Sequence, residues 1–155
     1  MTHMYAAALV LHSWFRWAVI LTGLIAFVRA AAGASGTKAW TPADDRAGFH
    51  FTIALDVQIL IGLALYSFLS PLTAQVMHDF GAAMKDPHLR FWAVEHAFGM
   101  VIGVALAHIG RARARKADSL RRHRVAAIFF GLALLAIVAS IPWPGTPNGR
   151  PWVRW

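Results

Sequence analysis

The chain has 155 residues, 58% of them hydrophobic and 14% charged, enough for one domain and too few for two. It has no cysteine, which excludes disulfides, thiolate metal sites, iron–sulfur clusters and covalently attached c-type haem. The net charge of +8 is not a nucleic-acid footprint, because the basic residues gather in loops between apolar segments and suit anionic lipid head groups.

Four apolar runs follow one another, roughly 6–31, 49–70, 91–110 and 125–141. Each is long enough to cross a hydrocarbon core of about 30 Å at a rise of about 1.5 Å per residue. The expected fold is therefore all-α, a four-helix transmembrane bundle forming a single domain over 1–155. The first run lacks a basic leader and a small-residue cleavage site, and reads as a retained helix.

The loop at 32–47 is rich in turn formers, and Thr41-Pro42 with Asp44 and Asp45 marks the start of the second helix. The 71–90 segment carries Leu72, Val76, Met77, Phe80 and Met84 at near-helical spacing, which predicts a short surface helix. Between the third and fourth runs lies the basic stretch Arg111, Arg113, Arg115, Lys116, Arg121, Arg122 and Arg124. The tail after Ile141 contains four prolines and cannot continue a helix. Its Trp143, Trp152 and Trp155, together with Trp14, Trp17 and Trp92, suit a membrane–water boundary, or the docking of a quinone or partner subunit.

Ten Lys/Arg fall on the side of the 32–47 and 111–124 loops, and four (Lys85, Arg90, Arg150, Arg154) on the other. The positive-inside rule makes the first side cytoplasmic and puts both termini on the outer, periplasmic side of a bacterial inner membrane.

Four histidines fall at two depths. His12 and His96 each lie about five residues in from the outer end of their runs, while His50 and His108 lie near the opposite end. On the third helix, twelve residues separate His96 from His108, about 18 Å of rise and about 120° of rotation. Each can therefore face a different neighbour, His12 for His96 and His50 for His108. Neutral imidazole suits haem iron, and a bundle core can hold a flat macrocycle between facing helices. Gly99 and Gly103 lie between the two and would give such a ring clearance, or simply form a Gly-x-x-x-Gly packing motif.

Ionisable groups inside spans face the interior and need partners. Arg16 is one turn from His12, with Glu95 or Asp56 its expected ion-pair partner ahead of a haem propionate. Glu95 and Asp56 are also placed to move protons near the two faces. His3, His78 and His88 read as loop histidines.

Four helices, two histidine pairs at opposite depths and intervening glycines resemble the small di-haem b-type cytochromes of bacterial membranes, the cytochrome b561-like proteins. The resemblance is one of pattern and covers roughly 6–141. It differs in having ligands on the first three helices and none on the fourth, and in a twelve-residue spacing shorter than is usual for cytochrome b helices. It implies two b-type haems on His12/His96 and His50/His108, with electron transfer to a quinone or redox partner, as a quinone-linked oxidoreductase or an electron-transfer subunit. The alternatives are a cofactor-free accessory subunit of a respiratory or photosynthetic complex, and a copper site built on His12, Glu95 and His96 with an outer-loop histidine.

Overall fold

A computed structural model describes residues 2–36 and 38–154, with the side chains of Thr2 and Leu120 set aside. Trp155 of the expected tryptophan group and Thr37 of the 32–47 loop lie outside the described residues, as does Met1. Among the described residues the chain is helical with no strand. Four segments are long and apolar enough to cross a membrane: His3–Gly33, Pro42–Leu69, Pro87–Lys116 and Arg121–Ser140.

The helices are α1 (Thr2–Gly33), α2 (Pro42–Ala64), three short turns α3 (Pro71–His78), α4 (Phe80–Lys85) and α5 (Pro87–Arg90), then α6 (His96–Lys116) and α7 (Ser119–Ser140). Most run past the apolar stretches read from the sequence. The charged residues at 42–46, 111–116 and 119–124 continue the helices without interrupting them. Pro42 opens α2, as expected. The Asp44 carboxylate reaches back to accept from the Thr41 N–H (2.8 Å) and hydroxyl (2.6 Å).

The expected surface helix at 71–90 is divided in three. Asp79 and Asp86 interrupt it because each side chain caps the next turn, Asp79 on Ala82 N–H and Asp86 on His88 and Leu89 N–H. Val76 and Ala83 are buried against Ala93 with Met84 and Leu89 beside them, while Met77 and Phe80 face outward.

Two five-residue π-helical turns interrupt the regular pattern, Leu65–Leu69 after α2 and Phe91–Glu95 before α6. They are joined: the Tyr66 hydroxyl donates to the Ala93 carbonyl at 2.8 Å. Such turns release backbone carbonyls from the i→i−4 ladder and recur at functional sites.

In the bundle, α1 packs on α2 and α7, and α6 packs on α7 and α2, so α1 and α6 are diagonal neighbours across the axis. The core is built from small residues, among them Ala26, Ala30, Ala107, Ala126 and Ala133, around an edge-to-face pair of Phe51 and Phe130 at 5.7 Å. Small side chains let helices approach closely where lipid supplies no hydrophobic drive. Large apolar residues point away from it: Phe68 is 82% exposed, Leu135 66% and Leu60 65%. In water that surface would be an association liability; against acyl chains it is at home.

The two ends differ. At the basic end, Asp44 is held by Arg29 at 2.9 Å and lies 3.7 Å from His123, which is 2% exposed and packs on Trp40. Asp45 faces Arg111 and Arg115. At the other end, the non-helical tail folds back along α1. Trp14 Nε1 donates to the Arg154 carbonyl at 2.9 Å, and Trp17 Nε1 to the Trp152 carbonyl at 3.1 Å. Trp17, Trp143 and Trp152 form a ring cluster with centroids 5.5–6.2 Å apart. The reversal uses Gly145 at φ +88°, a conformation that a side chain disfavours.

Candidate functional site

His12 on α1 and His96 on α6 meet across the bundle near the tail end. Their ring centroids are 6.3 Å apart and their planes 72° from parallel. Two imidazoles bound in line to one metal ion at about 2 Å each put their ring centres roughly 6 Å apart. The separation therefore fits a shared ion as well as it fits ring packing.

Each ring is oriented by its surroundings. His96 Nδ1 lies 2.8 Å from the Ser140 carbonyl. A carbonyl can only accept, so Nδ1 carries the proton, and in the neutral ring Nε2 keeps its lone pair. Metal-binding histidines are commonly held this way. Phe91 and Trp92, supplied by the π-helical turn, pack on the same ring at 6.0 and 5.7 Å. His12 sits over Gly62 of α2, where a Cβ would come within 3.1 Å of its Cε1. One turn earlier on the same face, Gln58 Nε2 donates to the His12 carbonyl at 3.0 Å.

Among the described residues, six buried side-chain nitrogen or oxygen atoms have no partner, and four surround this point: His12 Nδ1, Gln58 Oε1, Arg16 Nε and Trp92 Nε1. Buried polar atoms are nearly always satisfied, so four unmet ones on side chains around one histidine pair are unusual. As a donor set, two imidazoles without a thiolate are of the kind that could hold a haem iron.

Arg16 is 8% exposed, and its expected ion pair does not form. Glu95 goes to Arg90 at 2.8 Å and Asp56 to His108 at 2.8 Å. The Arg16 guanidinium instead donates to the Trp152 carbonyl at 2.7 Å and lies over the Trp17 ring. The tail, whose fold was not readable from helical periodicity, reaches Arg16 before either carboxylate can. Because Glu95 is taken by Arg90, a His12–Glu95–His96 copper site is not assembled. Among the described residues no group of three or more His, Asp or Glu side chains is placed to hold a metal ion.

The second histidine pair is arranged differently. His108 Nε2 is engaged by Asp56, with both side chains roughly half exposed, and the His50 ring lies against Phe49 at 5.9 Å. Gly99 and Gly103 face α7, against Ser140 and Ile137, as in close helix packing. His88 donates from Nδ1 to Asn148 of the tail at 2.7 Å, a tie that a loop histidine does not advertise.

Several residues here escape a reading of the sequence. Gln58 is legible only as an amide in an apolar run, and Gly62 only as a lone glycine. Buried His123 is hidden within a basic stretch. Trp92 looks like a belt tryptophan, yet its indole is turned inward beside His96 with Arg150 4.7 Å above the ring. Burial and the like charge of Arg154 hold the Arg150 pKa below its ordinary value.

Comparison of the chain with family models, with curated proteins and with solved structures finds no match. The fold is all-helical among the described residues, with four helices long and apolar enough to cross a membrane and the His12 and His96 rings side by side within it.

Proposed function

We propose that this is a membrane electron-transfer protein that holds a b-type haem between His12 and His96. The observation carrying the proposal is the pairing itself: two imidazoles from diagonal helices, 6.3 Å apart, one with its Nδ1 committed to a backbone carbonyl. When bound, haem supplies one-electron redox chemistry, and axial ligation and burial tune it. The chain's part is to hold. His12 and His96 offer ring nitrogens, Ser140 and Gln58 fix the supporting shell, and Phe91 and Trp92 exclude water from the His96 side. A single haem is the better supported stoichiometry, since His108 is engaged by Asp56.

The excess of Lys/Arg at the basic end supports a cytoplasmic placement there, with the paired imidazoles towards the periplasmic face of a bacterial inner membrane. The redox partner in this reading is a membrane quinone or a protein docking at the tryptophan-rich tail end.

The test is a reduced-minus-oxidised spectrum of the full chain purified in detergent from haem-replete cells. The expected result is a b-type α-band that disappears in His12→Ala and in His96→Ala. Colourless wild-type protein overturns the reading.

A further inference from the structure

Cations gather around the His12–His96 pair, and among the described residues Arg16, Arg150 and Arg154 form no ion pair with a carboxylate. Arg16 stands within Coulombic range of His12, Arg154 within range of both Arg16 and Arg150, and Arg150 lies over the Trp92 ring that abuts His96. The nearby acid, Glu95, is occupied by Arg90. Like charges gathered in a half-buried place repel one another and lose hydration. Arg16 is the more telling because it is buried and its Nε has no acceptor among the described residues, although its other nitrogen is tied to the tail. Trp92 Nε1, on the ring packed against His96, is a second unmet donor. Two unmet donors and, among the described residues, three guanidiniums outside any ion pair are the donor set that an oxyanion would satisfy.

We propose that Arg16, Arg150 and Arg154 form a clamp for the paired carboxylates of a haem seated on His12 and His96, closed by the tail at 142–154. The inference rests on the haem reading above and deepens it: the tail becomes part of the cofactor site. Guanidinium forks suit carboxylates, and these contacts are charge-assisted. The tail is positioned for this by Trp14, Trp17 and Arg16, which together bind the backbone carbonyls of residues 152 and 154. The same oxyanion chemistry would also accept a lipid phosphate, so the test separates the two sources.

Haem-free full-length protein in detergent is titrated with haemin and with haemin dimethyl ester, whose carboxylates are blocked. The wild type is expected to bind haemin roughly tenfold or more tightly than the ester. The double variant Arg150→Gln/Arg154→Gln, which leaves the Arg16–tail contact in place, is expected to bring the two within about threefold by weakening haemin alone. His12→Ala should remove the bis-imidazole spectrum with either porphyrin. If the wild type binds both porphyrins alike with that spectrum intact, the clamp is wrong and the haem reading stands. If it binds neither, both fall. Phosphatidylglycerol retained by the wild type and lost by the double variant, with no preference between porphyrins, gives the cations to lipid phosphate and also overturns the clamp.

Discussion

His96 Nδ1 is bonded to the backbone carbonyl of Ser140, and that carbonyl is free because of a proline. The last carbonyls of a helix lack intrahelical partners. Had α7 continued, the Ser140 carbonyl would have been met by the N–H of residue 144, but position 144 is proline and has none. Pro142 likewise has no N–H for Val138, whose carbonyl instead accepts from Trp143 Nε1 at 2.8 Å. A run of prolines that reads as a helix stop thus also supplies the acceptor that fixes the tautomer of a buried histidine.

The first prediction follows from that bond. Ser140→Ala keeps the carbonyl and should leave haem content unchanged. Pro142→Ala/Pro144→Ala allows α7 to extend and compete for the carbonyl. Loss of such a supporting contact typically lowers metal affinity about 10–100-fold. Haem affinity measured by titration of the apo-protein checks this; equal affinity in the two variants would show that the Ser140 contact has no part in ligation.

The depth-matched histidines give the second. His108 Nε2 is bound to Asp56, and the His50 ring rests on Phe49. His50→Ala and His108→Ala are therefore expected to retain one haem per chain, whereas His12→Ala and His96→Ala retain none. Pyridine haemochrome assay against protein concentration measures the ratio. A wild-type ratio of two that falls to one in His108→Ala would restore the two-haem arrangement implied by the sequence resemblance.

The architecture was readable from the sequence because it rests on a coarse quantity, the length of apolar runs, and all four runs are helices long and apolar enough to cross a membrane. Pairing of His12 with His96 was readable too, since equal depth on separate helices is nearly all that a contact across a bundle requires. For His108, depth did not disclose the contact with Asp56. Which neighbour a side chain meets depends on helix rotation, and Asp56 proved closer to His108. Rotation is also what the π-helical turns at Leu65–Leu69 and Phe91–Glu95 change, and hydropathy carries no trace of them. The partner of Arg16 was hidden for another reason: it belongs to an irregular tail whose path is set by tryptophan and carbonyl contacts, with no periodic signal.

The third prediction concerns the α2 face beneath His12. Gly62 leaves 3.1 Å between a hypothetical Cβ and His12 Cε1, so Gly62→Val must displace the ring. Overpacking of this kind costs about 1–3 kcal/mol when the neighbour cannot move freely. Gln58→Leu removes the donor to the His12 carbonyl, a net loss of about 1 kcal/mol. Both should lower haem retention through a detergent wash more than they lower helix content by circular dichroism. If Gly62→Val retains haem as well as the wild type, the contact between α2 and His12 does not position the ligand.

The fourth contrasts the two ends. Asp44 is buried, caps α2 through Thr41, binds Arg29 at 2.9 Å and faces buried His123 at 3.7 Å. All of its partners are at the basic end, far along α2 from Gln58 and Gly62. Asp44→Ala removes the reach-back contacts of the cap and leaves Arg29 without its acceptor, a loss of about 1–2 kcal/mol. The expected result is a lower thermal unfolding midpoint in detergent with an unaltered haem spectrum and midpoint potential. A shift in potential without a loss of stability would mean that the Asp44–His123 pair is coupled to the redox centre and is more than a structural anchor for α2 and α7.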